Sequence, residues 1–408
     1  MAAKKDEIKR ELEQRVLEMM DYSRETSDEE VCDMIDQLFM REESLRLCTV
    51  EERRQLKKDI FCALRRLDIL QNLLEDKEVT EIMINGPSHL FAERSGRLEK
   101  LEEQFESADR LLQIIQKIVA GCNRSVNEAS PIVDARLPDG SRVNVVLAPV
   151  AINGPIVTIR RFSDKPVTRE QLLSWGSITE EAVCLLQKLV RAKYNIFISG
   201  GTGSGKTTFL NALSAFIPSD ERIITIEDSA ELQIRGIDNL IRMETRNENV
   251  EGCHAISIRE LIRASLRMRP DRIIVGEVRG SEAVDMMTAF NTGHDGSMST
   301  GHANSAMDML SRLQTMILMG MELPLDAVRQ QIASAIDVIV HLGRLRDKSR
   351  KVLEITEVDG YVEGEIRLRT LYRFRESGTD EEGRVCGELV REGEIRHDQK
   401  LKAAGISV

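Results

Sequence analysis

The sequence lacks the features of an exported or membrane-embedded protein. Nowhere in its 408 residues does an apolar run approach the roughly 20 residues that are needed to cross a bilayer. The chain starts with charged residues and has no apolar signal-peptide core there. The seven cysteines are scattered without a C-x-x-C pair, which excludes a structural zinc site and suits the reduced thiols of a cytosol. We therefore expect a cytoplasmic protein that reaches a membrane only through a protein partner.

The sequence also lacks an excess of positive charge. It has 57 Lys and Arg against 68 Asp and Glu, for a net charge of −11. A protein that coats nucleic acid needs a surplus of basic residues, so this balance disfavours nucleic acid as a partner, although a local basic site stays open. With 41% hydrophobic and 31% charged residues the chain is typical of globular proteins, and its length predicts two or three domains.

The apolar pattern divides the chain into five segments. Residues 1–75 are charged, with apolar residues at helical spacing, and predict a helical module or, alternatively, a flexible docking arm. Residues 76–165 mix strand patterns with one amphipathic helix and predict an α+β domain. A linker at 166–178 leads to residues 179–345, where short apolar strands alternate with helices, as in an α/β domain with a mainly parallel sheet. Residues 346–408 form a charged tail with a hairpin pattern and no assigned role.

A phosphate-binding loop is the most specific motif. Residues 200–207 fit G-x-x-x-x-G-K-[ST] and lie between a strand pattern and a helical run, which is the context that the motif requires. Glycines let successive N–H groups point at phosphates, and the next helix adds its positive end. Lys206 can reach the β- and γ-phosphates, and the Thr207 hydroxyl can ligate Mg²⁺. The sequence therefore predicts ATP and Mg²⁺ as cofactors. The predicted nucleotide-binding residues of the loop are Gly201, Thr202, Gly203, Ser204, Gly205, Lys206, Thr207 and Thr208.

Two predicted strands, at 223–227 and 271–276, end in carboxylates. Because parallel strands of one sheet end at the same edge, we expect these acids to meet the loop. Glu277 is predicted to hold the metal and Glu227 to polarise the attacking water, with Glu231 as the second choice. For any one of them, the alternative is a solvated charge at a strand end. The predicted catalytic acids are Glu227, Asp228, Glu231 and Glu277.

His294 and His302 lie eight residues apart around glycine-rich turns. One interpretation is a structural histidine that is held by hydrogen bonds. The other is a sensor of the γ-phosphate that links the site to a subunit contact. Zinc is not expected, since no further His or Cys pair has ligand spacing.

Arginines are concentrated in two places. Arg259, Arg263 and Arg267 share one helix face, which is either solvated or serves the site or a subunit interface, and Arg279 follows Glu277. Upstream, Arg142, Arg160 and Arg161 end strands of the α+β block. Arginines supplied by a second domain could clamp triphosphate oxygens bidentately and so couple hydrolysis to domain movement.

Six segments carry a resemblance to a known family. They are the phosphate loop and residues Val79–Pro87, Ser130–Asn144, Thr225–Asp228, Leu266–Glu277 and Gly293–His302. In this order they resemble the type II/type IV secretion system ATPase superfamily (GspE/PilT-like), and within it the CpaF/TadA branch of tight-adherence pili. The absence of a cysteine-rich zinc module disfavours one type II branch.

The resemblance implies a RecA-like P-loop motor domain preceded by a PAS-like domain, assembled as a homo-hexamer on an inner-membrane platform protein. It implies an Asp box at Thr225–Glu231, a Walker B acid at Glu277 and a His box at His294–His302. The function implied is an ATP-hydrolysing motor for assembly or retraction of a pilus, or for secretion. The alternatives are a RecA-like nucleic-acid translocase or helicase and an ATP-sensing scaffold that does not hydrolyse. The residues implied to act at the nucleotide are His302 as a catalytic group and Arg142, Arg160, Arg161, Arg279 and His294 as ligands.

Overall fold

The computed structural model describes residues 2–21, 23–24, 26–42, 45, 48–94, 96–161, 166–246 and 254–407. The chain divides near residue 163 into two compact units. Within the described residues, no helix combines the length and the apolar character that a membrane span requires.

The first unit begins with four helices. Two of them start at complete capping boxes, in which Ser27 pairs with Glu30 and Thr49 pairs with Glu52. The apolar faces of the first three helices meet in a small core that includes Leu12, Ile35 and Ile60, whereas Leu70 of the fourth packs with the sheet that follows. Helices are thus found where the apolar spacing predicts them, within one unit with the sheet that follows. The helices are α1 (Ala2–Met19), α2 (Asp28–Arg41), α3 (Val50–Arg65) and α4 (Ile69–Glu75).

A six-stranded antiparallel sheet completes this unit, in the order β3-β2-β1-β6-β5-β4. Helix α5 begins at the N-cap Ser107, and its apolar stripe, including Ile115, packs with Ile82 and Ile84 of the sheet. The elements are β1 (Val79–Asn85), β2 (Leu90–Arg94), β3 (Arg97–Lys100), α5 (Ala108–Gly121), β4 (Ile132–Arg136), β5 (Arg142–Val146) and β6 (Ile156–Arg160).

The second unit is built on a nine-stranded sheet in the order β15-β14-β13-β12-β7-β11-β10-β8-β9. The six strands from β12 to β9 are parallel, and β13, β14 and β15 are added antiparallel. The elements as far as the last parallel strand are α6 (Arg169–Ser174), α7 (Glu180–Arg191), β7 (Ile196–Gly200), α8 (Lys206–Ser214), β8 (Ile223–Glu227), β9 (Leu240–Glu244), α9 (Ile258–Ser265), β10 (Arg272–Val275), α10 (Ala283–Phe290), β11 (Met298–His302), α11 (Ala306–Gly320), α12 (Leu325–Ala335) and β12 (Val338–Arg344).

The segment beyond residue 345 belongs to the same sheet. It forms β13 (Arg350–Val362), β14 (Glu365–Thr379), β15 (Val385–Arg391) and α13 (Gln399–Ala403). Ile355, Leu371 and Leu401 join the core that also contains the residues of α7 and α8. The sequence boundary at 345 therefore does not coincide with a structural one, because these strands bury one face while their exposed residues are charged. Helix α6 lies within the segment that was predicted to be a linker.

The sheet of the second unit contributes side chains to two apolar clusters. One contains α7, α8 and the C-terminal strands, and the other contains α9 to α12. Strands β7, β8 and β10 are buried along their whole length. A ligand can therefore approach the ends of these strands but not their faces.

Candidate active site

The carboxyl edge of the parallel strands gathers most of the predicted site. The phosphate loop follows β7, Glu227 ends β8, Glu277 follows β10 and His302 ends β11. Strand β11 lies between β7 and β10, so His302 stands between the loop and Glu277. A crevice at the carboxyl ends of parallel strands is the usual ligand site of such sheets.

Glycine is required at three positions of the phosphate loop. Gly203 has φ 71° and Gly205 has φ 91°, in the left-handed region that side chains disfavour. A Cβ at Gly200 would lie 2.5 Å from the Leu342 carbonyl oxygen, because β12 passes close to the loop. The Ser204 hydroxyl donates to the Gly201 carbonyl at 2.8 Å, and α8 begins at Lys206. The loop thus leads directly into a helix N-terminus, where backbone N–H groups can bind phosphate.

Lys206, His302 and Glu277 form a continuous polar chain. The buried Lys206 ammonium donates to the Gly201 carbonyl at 3.0 Å and lies 3.2 Å from His302 Nδ1. His302 Nε2 lies 2.8 Å from Glu277 Oε1. Burial first, and then the charge of Lys206, lower the pKa of His302, so the imidazole is neutral at pH 7. Because Lys206 can only donate, Nδ1 accepts and the ring proton lies on Nε2. The contact of Nε2 with Glu277 Oε1 is close but lacks hydrogen-bond geometry, and this buried oxygen has no hydrogen-bond partner within the described part of the chain.

Glu227 is a buried carboxylate with one oxygen held and one oxygen unpartnered. Its Oε1 accepts from the backbone N–H groups of Glu231 and Leu232, both at 2.8 Å. Oε2 is buried and has no hydrogen-bond partner within the described part of the chain. Burial raises the pKa of Glu227 to about 7, against the lowering effect of the two N–H groups. A carboxylate that titrates near neutral pH can take a proton from water.

Arg279 links the ends of the two acid-bearing strands. It lies 3.1 Å from Asp228 and 3.4 Å from Glu277, measured between guanidinium nitrogens and carboxylate oxygens. The Thr245 hydroxyl also donates to Asp228, at 3.0 Å. Glu231 contributes its backbone N–H to Glu227, and Glu231 itself is half-buried. The acids predicted from the sequence therefore meet at one edge of the sheet.

These residues fit a magnesium–triphosphate complex. The loop offers a glycine-lined cradle, and Thr207 and Thr208 lie in the first turn of α8, where a hydroxyl can reach a metal that is held on phosphate oxygens. The unpartnered Glu227 oxygen is an acceptor for water. Among the described residues, no group of three or more His, Cys, Asp or Glu side chains could hold a metal by itself. Mg²⁺ fits such a site because it keeps several waters and binds through one or two protein oxygens and the substrate phosphates.

A family model described as "Type II/IV secretion system protein" matches residues 64–393. The matched range spans most of both units, including all of the residues at the carboxyl edge of the parallel strands. The chain belongs to this family.

Relatives of this secretion-family protein work in transfer and secretion. TrbB of Rhizobium radiobacter, a conjugal transfer protein, is 33% identical over 291 residues, which are 71% of this chain and 86% of TrbB. VirB11 of Bartonella quintana, a type IV secretion system protein, is 31% identical over 333 residues, 72% of this chain and 93% of VirB11. The solved pilus retraction motor PilT with bound ADP is 18% identical, with 83% of this chain and 86% of PilT covered and a TM-score of 0.51. That likeness shows a shared fold, and the RecA-like α/β class predicted from the sequence is confirmed.

His294 does not lie at the carboxyl edge of the parallel strands, where the phosphate loop is. It precedes β11, whereas the loop follows the far end of the neighbouring strand β7. Five residues of strand separate the two edges by about 16 Å, at about 3.3 Å per residue. His294 Nδ1 lies 3.1 Å from the Ala289 carbonyl oxygen, so it holds the turn before β11. The expectation of a nucleotide ligand at His294 is corrected to this structural role.

Three of the other predicted arginines make contacts within their own units. Arg161 donates to the carbonyl oxygens of Asp76 and Val79, while the exposed Arg160 lies opposite Arg142 on paired strands. All three belong to the first unit, and their approach to nucleotide stays a prediction. On the predicted helix face, Arg259 and Arg263 both bind Asp285 of α10, at 2.5 and 2.8 Å.

Sequence reasoning missed one wall of the site. An open cleft of about 440 Å³ lies beside Gly201 and Thr202, and α11 forms its other side with Asp308 and Arg312. The positive charge of Arg312 contributes to the lowered pKa of His302. A signal was present, since Asp308 and Arg312 are four residues apart and share the face of a helix that begins just after His302.

Proposed function

We propose that the chain is an Mg²⁺-dependent ATPase that converts ATP and water to ADP and phosphate. The observation that carries the proposal is the polar chain from Lys206 through His302 to Glu277, beside the buried Glu227. A phosphate loop alone supports binding. A carboxylate with a pKa near 7 that lies at the same edge supports hydrolysis.

Each group has a role in this proposal. The loop amides and Lys206 bind the phosphate oxygens, with Lys206 leaving the Gly201 carbonyl and His302 to do so. Thr207 and Glu277 would hold Mg²⁺, which would neutralise charge on the transferred phosphoryl group. Glu227 accepts a proton from the attacking water as the water oxygen bonds to the γ-phosphorus and the bond to the β–γ bridging oxygen breaks. His302 lies between Lys206 and Glu277 and sets the spacing of the two groups.

The work driven by hydrolysis is assembly or retraction of a pilus, or secretion of protein, by a hexameric ring. Family membership supports this part, as do the names of relatives in conjugal transfer, type IV secretion and pilus retraction. Within the family we assign the chain to the CpaF/TadA branch, on the motifs quoted above. The ring would lie at the cytoplasmic face of the inner membrane on a platform protein, with Arg142, Arg160 and Arg161 completing the nucleotide sites.

Turnover by the purified chain with ATP and Mg²⁺ tests the enzymatic part. We expect phosphate release that rises with assembly, measured with the mass of the particle in the same sample. Lys206→Ala should abolish nucleotide binding. Glu277→Gln should keep nucleotide binding and lower turnover at least about 10²-fold, since it removes the negative charge of the proposed metal ligand and keeps the size of the side chain.

His302→Ala and His294→Ala make a matched pair for the same assay. The first should lower turnover about tenfold or more, and the second should leave it within about twofold, because His294 lies at the opposite edge of the sheet. Nucleotide binding without phosphate release by the wild-type chain would favour the scaffold alternative. Turnover that depends on added DNA and falls with salt would favour the translocase.

A further inference from the structure

The turn that joins β12 to β13 is firmly held beside the phosphate loop. Strand β12 runs parallel to β7 with Leu342 opposite Gly200, so the turn projects past the sheet at the side of the loop. Asp347 accepts from the Ser349 N–H at 2.9 Å and from its hydroxyl at 2.7 Å. The other Asp347 oxygen accepts from the N–H of Val385, in β15, at 2.8 Å. These hydrogen bonds attach the turn to β15 and fix the position at which β13 begins.

Arg350, the first residue of β13, contacts the loop directly. Its Nε donates to the Gly203 carbonyl oxygen at 2.9 Å. Its stem passes close to Gly205, where an added Cβ would lie 3.4 Å from Arg350 Cδ. Arg344 is the cross-strand partner of Arg350, and its guanidinium lies 3.6 Å from the Cβ position of Gly203. Two guanidinium groups therefore lie against the loop, and that of Arg350 is carried by the segment to which the sequence assigned no role.

The bond to Gly203 bears on how the loop binds an anion. A loop that presents N–H groups to phosphate has to turn its carbonyl oxygens away from the ligand. Gly203 has φ 71°, and a glycine peptide rotates readily between conformations. A hydrogen bond from a charged donor is about twice as strong as one from a neutral donor. The guanidinium on the Gly203 oxygen therefore favours the orientation of this peptide that leaves the N–H groups available to phosphate.

We propose that Arg350 is a positioning residue of the nucleotide site, which holds the phosphate loop in its binding conformation through the Gly203 carbonyl. This inference rests on the proposed binding of ATP. It gives the C-terminal strands a role in the site, because the hairpin that carries Arg350 is anchored by β15. Arg344 adds positive charge at the same side of the loop.

Three variants of the full chain test this role. Arg350→Met removes the donor and the charge and keeps the length of the stem. Arg350→Gln replaces the guanidinium with a neutral N–H donor that is the same number of bonds from Cα as Nε. The control is Arg346→Met, because Arg346 is an exposed arginine of the same turn that pairs with Glu376.

The readouts are equilibrium binding of ATP with Mg²⁺ and the KM and kcat of turnover. We expect Arg350→Met to weaken binding and raise KM about tenfold, the size expected for one charged hydrogen bond, with kcat within about twofold. Arg350→Gln should bind at least about threefold more tightly than Arg350→Met. The control should match the wild type. Because Arg350 is exposed, all variants should melt within a few degrees of the wild type.

The outcomes separate this inference from the proposed function. Wild-type protein that binds no nucleotide would refute both. Wild-type protein that binds ATP while Arg350→Met binds it equally well would refute the positioning role alone. Equal weakness of the Met and Gln variants would show that charge, and not the donor to Gly203, is what the loop needs, and would overturn the inference as stated.

Discussion

The buried position of Glu227 suits the proposed activity but lowers the stability of the protein at neutral and higher pH. Its side chain is buried against Gly276, where an added Cβ would lie 2.9 Å from Glu227 Cγ. The folded state therefore prefers the protonated form, and the pKa rises from 4.5 to about 7. Below the unfolded pKa the group is neutral in both states and costs nothing. The cost of ionising it within the fold grows with pH from 4.5 and is complete above about 7.

Glu227→Gln should separate these two effects. Glutamine keeps an oxygen for the N–H groups of Glu231 and Leu232 and carries no charge, so we expect the variant to be more stable than the wild type at pH 8. The difference is at most about 3 kcal/mol, from the pKa shift at 1.36 kcal/mol per unit. It should shrink as the pH falls to 5, while turnover of the variant is lost at every pH. Thermal melting at the two pH values measures the first effect. A wild-type chain that is as stable as the variant at pH 8 would contradict the raised pKa.

At the scale of the elements, the ends of the sheet opposite the site are tied together by buried polar groups. Arg272, at the start of β10, is fully buried and makes a bidentate pair with Glu221, at 2.5 and 2.8 Å. The same guanidinium donates to the carbonyl oxygens of Val190 and Gly296, at 2.7 and 3.3 Å. One side chain thus joins the end of α7 to the loops that precede β8 and β11.

Arg272→Met should cost about 3–5 kcal/mol of unfolding free energy, because it leaves Glu221 buried without its bidentate partner. The double variant Arg272→Met/Glu221→Gln should recover more than half of this loss. Urea unfolding followed by the fluorescence of Trp175, the single tryptophan, reports on this unit. A single variant within 1 kcal/mol of the wild type, on the order of a surface change, would mean that the pair is not what ties the elements together.

Sequence patterns predicted elements best where a local rule applies. The loop at 200–207 and the acids Glu227 and Glu277 were placed correctly relative to one another, because the carboxyl ends of parallel strands share an edge. His294 was misplaced, since spacing along the sequence does not tell which end of a strand a turn occupies. The contact of Arg350 with Gly203 joins residues 147 positions apart and leaves no local pattern.

At the scale of the whole molecule, the two units have separate cores. The second unit contains its own two apolar clusters and the complete loop. Its C-terminal helix is anchored by Lys400, which binds Asp337 at 2.7 Å and Asp295 at 2.8 Å. The Tyr194 hydroxyl donates to the His397 carbonyl oxygen at 2.6 Å and adds a further tie. Because its clusters and its loop are complete within the unit, we expect it to fold without residues 1–163.

A fragment of residues 166–408 should therefore melt cooperatively and bind ATP within about tenfold of the full chain. Its turnover should fall at least about 10²-fold, since arginine fingers contribute about 10³–10⁵ in rate and the proposed ones lie in the first unit. Circular dichroism, nucleotide binding and phosphate release on the two proteins, side by side, check the three expectations. Full turnover by the fragment would remove Arg142, Arg160 and Arg161 from the proposed site.

The bonds that Lys206 makes inside the protein have a consequence for the binding and release of nucleotide. Its ammonium is already held by the Gly201 carbonyl oxygen and by His302. A phosphate group that binds has to displace these partners of the lysine, and the lysine can bond to them again when the phosphate leaves. Binding at this residue is thus an exchange of partners, so the bonds that Lys206 gives up offset part of the energy of its contact with phosphate. An ATPase of the kind proposed would therefore release spent nucleotide more readily than a site whose lysine had no partners within the protein.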